Sequence, residues 1–166
     1  MRYYAGVGSR FTPRDIQEFM TRCAAKLERE GWILRSGGAE GADQAFAQGV
    51  VDDRHKEVYL PWPNFNGQRG TVSGDDMNAR AIAEKFHPAW GKLSEGGKKL
   101  QTRNVHQVLG GDLRTPSKFV LCWTQNGSGS GGTGQAIRIA KHHGIEVWDL
   151  GNPDVFGRVW WWLEKE

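Results

Sequence analysis

One layout, repeated three times along the chain, constrains the fold more than any other feature. In each case a short apolar segment leads into a turn of small residues, and a helical pattern follows; the turns span 6–10, 36–43 and 127–134. Strands and helices that alternate along a chain form a largely parallel sheet with helices on both faces. The sequence therefore predicts an α/β fold, and the length of 166 residues predicts a single domain over 1–166.

Hydrophobic spacing predicts the elements between these turns. We expect strands at 2–8, 32–34, 58–60, 119–123 and 147–150, and helices at 79–92, 97–109, 135–143 and 152–166. Two earlier helices are also expected, one that Gly31 ends and one that carries Ala45, Phe46 and Val50. For the first of them, Thr12 is the predicted N-cap and Pro13 the first helical residue. Residues 64–78 lack periodicity and are rich in Gly, Asn and Asp, which predicts a long loop and a candidate lid.

Composition narrows the class of protein. The 22 basic and 19 acidic residues are mixed along the chain, which disfavours a nucleic-acid-binding tail. Cys23 and Cys122 lie in a helix and a strand pattern, which indicates reduced core thiols in a reducing compartment. No apolar run has the length of a signal peptide or a membrane span. We therefore expect a cytoplasmic protein that does not bind membranes.

The three turns are candidate phosphate sites. In an open parallel sheet, ligands bind outside the carboxyl ends of the strands, where helix N-termini present free N–H groups and a partial positive charge. Glycine lets a phosphate approach this backbone. For any one turn, a tight connection without a ligand is an equally good interpretation. Three such turns together favour a binding site.

The last turn matches known phosphate motifs only in part. Gly127, Gly129 and Gly132 fit G-x-G-x-x-G, and Asp149 ends the next strand, as in dinucleotide-binding proteins. The stretch is low in complexity and does not lie in the first βαβ unit, which disfavours a nicotinamide dehydrogenase. Thr133 stands where a P-loop requires lysine, so an ordinary ATPase is not expected.

Five segments, taken in order, resemble the SLOG superfamily: AGVGSR (5–10), SGGAEGAD (36–43), YLPW (59–62), TRNVHQVLG (102–110) and GGTGQAIRIAKHHGI (131–145). This superfamily contains DNA-processing protein A and the LOG (Lonely Guy) nucleotide phosphoribohydrolases, and the chain resembles its small phage-encoded members most. The resemblance covers about residues 2–150. It implies a Rossmann-like open, mostly parallel sheet with a nucleotide site over its carboxyl edge.

The turns and the resemblance together give a set of ligand-binding candidates. They are Gly8, Ser9, Arg10, Ser36, Gly37, Gly38, Trp62, Arg103, Asn104, Gly131, Gly132 and Thr133. Arginine suits bidentate phosphate contacts, and Trp62 either stacks on a base or fills the core. No cofactor is implied, and the sequence has no His-x-x-x-His motif or cysteine cluster that would predict a metal site.

The resemblance leaves binding and cleavage open. In LOG enzymes, an arginine and the glutamate of a PGG-x-GT-x-x-E motif cleave the N-glycosidic bond of nucleoside monophosphates. Arg103 occupies a position like that arginine, and residues 131–134 resemble the glycines. The glutamate is missing, because no Asp or Glu occurs between Leu113 and Ile145, and Gln135 and Arg138 stand where the resemblance leads us to expect a carboxylate. Binding without turnover is therefore the more economical interpretation.

We expect a protein that binds a nucleotide-derived small molecule, such as a nucleoside phosphate, an ADP-ribose-like molecule or a cyclic nucleotide. It would sense or sequester that molecule in conflict between phage and host, in the host cytoplasm if the chain is phage-encoded. The alternative is an N-glycosidic-bond hydrolase or transferase, in which Arg103 holds the phosphate or the transition state and Glu40 or Asp43 is the acid. The competing interpretation of Glu40 and Asp43 is that they only stabilise a helix N-terminus. The third hypothesis is single-stranded DNA binding, which the dispersed charge disfavours.

The C-terminal helix predicts an oligomer. Its predicted apolar sector contains Val155, Phe156, Val159, Trp160, Trp162 and Leu163. Trp161 lies outside that sector, on the polar side with Asp154, Arg158 and Lys165. A tryptophan in that position suits a homo-oligomer interface.

Overall fold

A computed structural model of the chain describes residues 1–165. Within these residues the strands are β1 (Arg2–Gly6), β2 (Trp32–Ser36), β3 (Lys56–Leu60), β4 (Thr71–Val72), β5 (Phe119–Cys122) and β6 (Glu146–Asp149). The α-helices are α1 (Arg14–Arg29), α2 (Ala42–Gln48), α3 (Met77–Phe86), α4 (Glu95–Leu109), α5 (Thr133–His142) and α6 (Pro153–Glu164). The sheet has the order β4-β3-β2-β1-β5-β6, and every neighbouring pair is parallel. The predicted fold, a Rossmann-like open parallel α/β sheet, is confirmed.

The helices cover both faces of the sheet, as predicted. One core lies between the sheet and α1, α2 and α6, and it contains Cys23 and Phe46. The other lies under α3, α4 and α5, and it contains Val105, Cys122 and Ile139. Both cysteines are free and buried, as predicted. Among residues 1–165, no helix is both long enough and apolar enough to cross a membrane.

The strand order places a crevice at the centre of the sheet. β2, β3 and β4 lie on one side of β1, whereas β5 and β6 lie on the other. Gly6 of β1 pairs with Leu121 of β5, and the Val7 N–H donates to the Leu121 carbonyl at 3.0 Å. Open α/β sheets bind ligands outside the carboxyl ends of the two strands where the direction of connection reverses. Here those two strands are β1 and β5.

The segment 64–78 is more regular than predicted. It contains β4, which pairs with β3, and the start of α3. Asp76 caps α3 through one carboxylate oxygen, which accepts from two N–H groups of the first turn at 3.0 and 3.2 Å. Its other oxygen lies 3.0 Å from Nε2 of His106 on α4. The prediction missed β4 because a two-residue strand with both side chains exposed leaves no apolar periodicity.

Three local predictions about the helices are wrong. Thr12 does not cap α1, since its hydroxyl donates to the Ser9 carbonyl at 2.6 Å and Pro13 occupies the N-cap position. The helix predicted at 79–92 ends at Phe86, because Pro88 disfavours helical geometry in the preceding residue. Trp160 is 50% exposed, because the predicted apolar sector is wider than the face that α6 buries and this residue lies at its margin.

Candidate functional site

A cavity of ≈ 780 Å³ opens over the crevice between β1 and β5. The loops after β1, β2, β3 and β5 and one face of α4 surround it. Its lining residues are Val7, Gly8, Ser9, Arg10, Phe11, Ala39, Glu40, Asp43, Trp62, Phe65, Asn66, Leu100, Gln101, Arg103, Asn104, Gln107, Gly131, Gly132, Thr133 and Ala136. The structure therefore brings together every predicted candidate except Ser36, Gly37 and Gly38.

The turn before α5 forms the part of the wall best suited to an anion. Gly131 has a φ of +75°, a left-handed conformation that glycine adopts without strain. Gly132 is exposed, and a Cβ added there would meet only Nε2 of Gln101, at 3.9 Å. Among residues 1–165, no side-chain hydrogen bond caps the N-terminus of α5. The Gly134 and Gln135 N–H groups donate to the Gly131 and Gly132 carbonyls at 3.0 and 3.4 Å, so this end of α5 presents mainly the positive end of the helix dipole to the cavity.

The turn after β1 packs against the start of α2. A Cβ added at Gly8 would lie 2.5 Å from the Cβ of Ala42, so only glycine allows this close approach. The Ser9 hydroxyl accepts from the Phe11 N–H at 2.9 Å, which stabilises the turn. Arg10 is exposed, and its guanidinium carbon lies 4.8 Å from the centre of the Phe11 ring. Arg10 is therefore a cation at the cavity that a ligand can reach.

One face of α4 lines the cavity at helical spacing. Leu100, Arg103, Asn104 and Gln107 lie three and four residues apart and all contribute to the wall. Sequence reasoning identified Arg103 and Asn104 but missed the other two. The signal was present in the sequence, because a helix that presents two residues to a cavity also presents those one turn away.

Arg103 and Asp43 form a buried ion pair beneath the cavity surface. Only 5% of Arg103 and 3% of Asp43 is exposed, and Nη1 of the arginine lies 4.0 Å from Oδ2 of the aspartate. Arg103 also donates to the Gly37 carbonyl, and its Nε donates to Asn104 Oδ1 at 2.9 Å. Asp43 accepts from the Ala39 N–H at 3.2 Å. The guanidinium therefore ties α4 to the loop after β2.

Burial shifts the pKa of both members of this pair. Burial raises the pKa of Asp43 to about 6, although Arg103, the Ala39 N–H and the Gln107 side chain oppose the shift. Burial also lowers the pKa of Arg103, and the Asp43 charge opposes that shift. Nε2 of Gln107 lies near enough to Asp43 to lower its pKa, but among residues 1–165 it makes no hydrogen bond of good geometry. The cavity floor thus combines a carboxyl that titrates near neutrality with an unused donor.

Ser36, Gly37 and Gly38 support the cavity from beneath. The Ser36 hydroxyl donates to the Asp43 carbonyl at 3.0 Å, and the Gly37 carbonyl accepts from Arg103. The Gly38 carbonyl accepts from Nδ2 of Asn66 at 3.3 Å. These contacts hold the loop after β2 in place, and none of the three residues lines the cavity.

Aromatic side chains from the loop after β3 form another part of the cavity wall. Trp62 and Phe65 meet edge to face with ring centres 5.2 Å apart, and both line the cavity. The Arg103 guanidinium carbon lies 5.8 Å from the centre of the Phe65 ring. Asn66 adjoins this wall with a left-handed φ of 50°. Sequence reasoning missed Phe65 and Asn66, because residues without periodicity give no indication of which way they face.

The residues at the position of the missing LOG glutamate do not face the cavity. Gln135 is fully buried, and its Nε2 donates to the Ala83 carbonyl at 2.9 Å. Arg138 donates from Nε to the Phe86 carbonyl at 2.9 Å and from Nη2 to Gln135 Oε1 at 3.0 Å. Both side chains hold α5 against α3.

Asp149 has a structural use that conflicts with a dinucleotide fingerprint. Its carboxylate accepts from the N–H groups of Thr124 and Gly151 at 2.9 and 3.0 Å, and from the Thr124 hydroxyl. These bonds join the ends of β5 and β6 and occupy the oxygens that a ribose would need. Within residues 1–165, no three His, Cys, Asp or Glu side chains are grouped so that they could hold a metal ion.

Comparisons with known proteins give little beyond the fold. No family model matches the chain, and no curated protein matches it. Among solved structures, the chain is similar to DNA processing protein A from Helicobacter pylori, a structure reported for its single-stranded DNA binding mode. The identity is 13% and the TM-score 0.45, over 98% of this chain and 80% of that one. This likeness is too distant to transfer a function.

Proposed function

We propose that the chain binds a nucleotide-derived small molecule in the cavity over β1 and β5, and that it senses or sequesters that molecule. The convergence of separate strand-to-helix turns on one cavity of ≈ 780 Å³ carries this proposal. Small-molecule sites span roughly 300–1,000 Å³, so the cavity has a suitable size. The sequence resemblance to SLOG proteins supports the same class of ligand.

The phosphate is proposed to lie at the N-terminus of α5, beside Gly132 and within reach of Arg10. The backbone there has no side-chain cap, and Arg10 is exposed. Arg103 has a different role from the clamp that the sequence predicts. Because Gly37, Asn104 and Asp43 already hold its guanidinium, we assign Arg103 to positioning the wall.

The base is proposed to lie against Trp62 and Phe65. Aromatic side chains stack on the face of any nucleobase, so this contact does not depend on which base the ligand carries. These rings follow β3 and Gly132 follows β5, and because β2 and β1 lie between those strands, a sugar fits between the two ends. A nucleotide or a nucleotide-sugar fits this arrangement of a polar and an aromatic end.

Cleavage of an N-glycosidic bond is the second candidate function, and Asp43 is the observation that favours it. A carboxyl with a pKa of about 6 can hold a proton near neutral pH and donate it to a leaving base. Water would then add to the sugar carbon, so that a nucleoside monophosphate yields the free base and ribose 5-phosphate. The deep burial of Asp43 and its pairing with Arg103 favour binding over this reaction.

A thermal-shift panel tests the proposal. The panel pairs phosphorylated with unphosphorylated molecules, namely AMP with adenosine and ADP-ribose with ribose, and includes cyclic AMP and an oligothymidylate. We expect a rise in Tm with phosphorylated molecules only, and a smaller rise for Arg10→Gln. If none of the phosphorylated molecules raises Tm, the proposal is wrong.

Chromatography of each mixture separates the functions. Intact ligand after incubation supports sensing or sequestration, whereas a free base supports cleavage. A Tm rise with the oligothymidylate alone would favour single-stranded DNA, the third function considered from the sequence. The Asp43→Asn variant distinguishes the first two, because it should abolish release of a base but leave binding of intact ligand.

A further inference from the structure

A second cavity, of ≈ 800 Å³, lies on the α1 and α6 face of the sheet and shares no lining residue with the first. Its floor is aromatic, with Trp32, Phe119 and Trp148. Trp161 and Trp162 of α6 form one of its walls. Trp161 is 61% exposed, so a large apolar side chain stands in solvent beside an aromatic groove. Contiguous apolar surface of this kind marks an interaction site.

The exposed side of α6 carries a regular stripe. Asp154, Arg158, Trp161 and Lys165 are spaced four, three and four residues apart, so they share one face of the helix, and all four are exposed. We call these four residues the α6 stripe. Gly157 adjoins the stripe, and a Cβ added there would have no atom within 4 Å. The helix surface therefore has a projecting tryptophan and an open notch about one turn apart.

The two ends of the α6 stripe carry opposite charge. At the N-terminal end of α6, Asp154 has no ion-pair partner among residues 1–165. At the Lys165 end, a neighbouring depression is rich in basic side chains. Those basic side chains are Arg22, Lys26, Arg29 and Lys165, with Glu30 and Glu164 beside them.

We propose that a second copy of this chain covers this face, with the two α6 helices antiparallel across a twofold axis. In that arrangement Asp154 faces the partner's Lys165, and Trp161 enters the notch at the partner's Gly157. Each contact occurs twice, as an isologous interface requires. Tryptophan and arginine, which the α6 stripe provides at its centre, are enriched at protein interfaces.

The charge pattern favours a second copy over other partners. The α6 stripe has Asp154 at one end, Trp161 near its centre and Lys165 at the other end, so its complement is a surface with the same pattern reversed. An antiparallel copy of α6 has that pattern. The first cavity lies elsewhere, so the interface is independent of the proposed nucleotide binding, and either proposal can fail without the other.

The mass of the full chain in solution tests the interface. By sedimentation equilibrium from low micromolar to the highest soluble concentration, we expect a species of twice the 18.6 kDa chain mass. Trp161→Ala should weaken association at least about tenfold, as expected for a central tryptophan. Trp160→Ala is the matched control, since Trp160 is 50% exposed on the same helix but does not line the cavity, and it should leave association unchanged.

Charge reversal tests the orientation of the helices. Asp154→Lys and Lys165→Glu should each weaken association, and the double variant should restore it, because the reversed charges face each other again. A monomer at every wild-type concentration would overturn the proposal. Equal weakening of association by Trp160→Ala and Trp161→Ala would also overturn it. Additive losses of association in the double charge-reversal variant would do the same. Circular dichroism melting identifies any variant that fails to fold. If a single variant does not fold, association of the folded double variant still tests whether the two charges face each other.

Discussion

Two substitutions at Gly132 differ in charge but hardly in shape, and they test where the phosphate lies. Gly132 has helical backbone angles (φ −60°, ψ −32°), so any residue is tolerated there. The nearest atom to an added Cβ is Nε2 of Gln101, at 3.9 Å, and Gln101 also lines the cavity. The side chains of Gly132→Asp and Gly132→Asn therefore both enter the cavity without a clash.

The expected difference follows from Coulomb's law. A carboxylate about 5 Å from a phosphate charge costs about 3 kcal/mol at an effective dielectric constant of about 20, and about 0.8 kcal/mol in water. Since about 1.4 kcal/mol is tenfold in affinity, the Asp variant should bind about 4-fold to 150-fold more weakly than the Asn variant. An acidic residue at this end of α5 stabilises the helix by about 0.3–1 kcal/mol, so weaker binding cannot result from unfolding.

Isothermal titration calorimetry with AMP measures this difference, and adenosine is the control without a phosphate. The gap between the variants should narrow with added salt, because the Debye length falls from about 10 Å at 0.1 M to about 3 Å at 1 M. Equal affinity of the two variants for AMP would refute the placement of the phosphate. The same conclusion follows if the Asp variant weakens adenosine binding as much as AMP binding.

Three further predictions concern stability. Burial raises the pKa of Asp43 from 3.8 to about 6, so the folded state holds a proton that the unfolded state releases as pH rises through this interval. Between these pH values, the free energy of unfolding should therefore fall by at most about 3 kcal/mol relative to that of Asp43→Asn, as measured by urea titration. If the free energies of unfolding of the two proteins change with pH in parallel, the prediction is wrong. Arg103→Met should lower the free energy of unfolding by about 3–5 kcal/mol, because it leaves the Asp43 carboxylate unpaired. Adding Asp43→Asn should recover part of that loss. Additive losses in the double variant would show that the two side chains do not interact. Gly8→Ala should cost about 1–3 kcal/mol, because its Cβ would lie 2.5 Å from that of Ala42. Gly132→Ala is its control in thermal melts, and similar losses in both would argue against a steric cause.

The sequence alone determined the class of fold and the end of the sheet where the cavity opens. Alternating strand and helix patterns indicate parallel strands. Small residues after a strand indicate a tight turn, because glycine adopts backbone conformations that other residues disfavour. The turns at 6–10 and 127–134 both reach the cavity, as their pattern predicts. These inferences succeeded because they depend on neighbours in the chain.

The tertiary structure decided which of the predicted residues face the cavity. Arg103 and Asp43 are 60 positions apart, and only the packing of α4 over the loop after β2 makes them an ion pair. The same packing leaves Ser36 beneath the cavity and directs Gln135 into the core. The reason is physical: β5 pairs with β1 across more than a hundred residues of sequence, and no local pattern specifies which distant strand lies alongside.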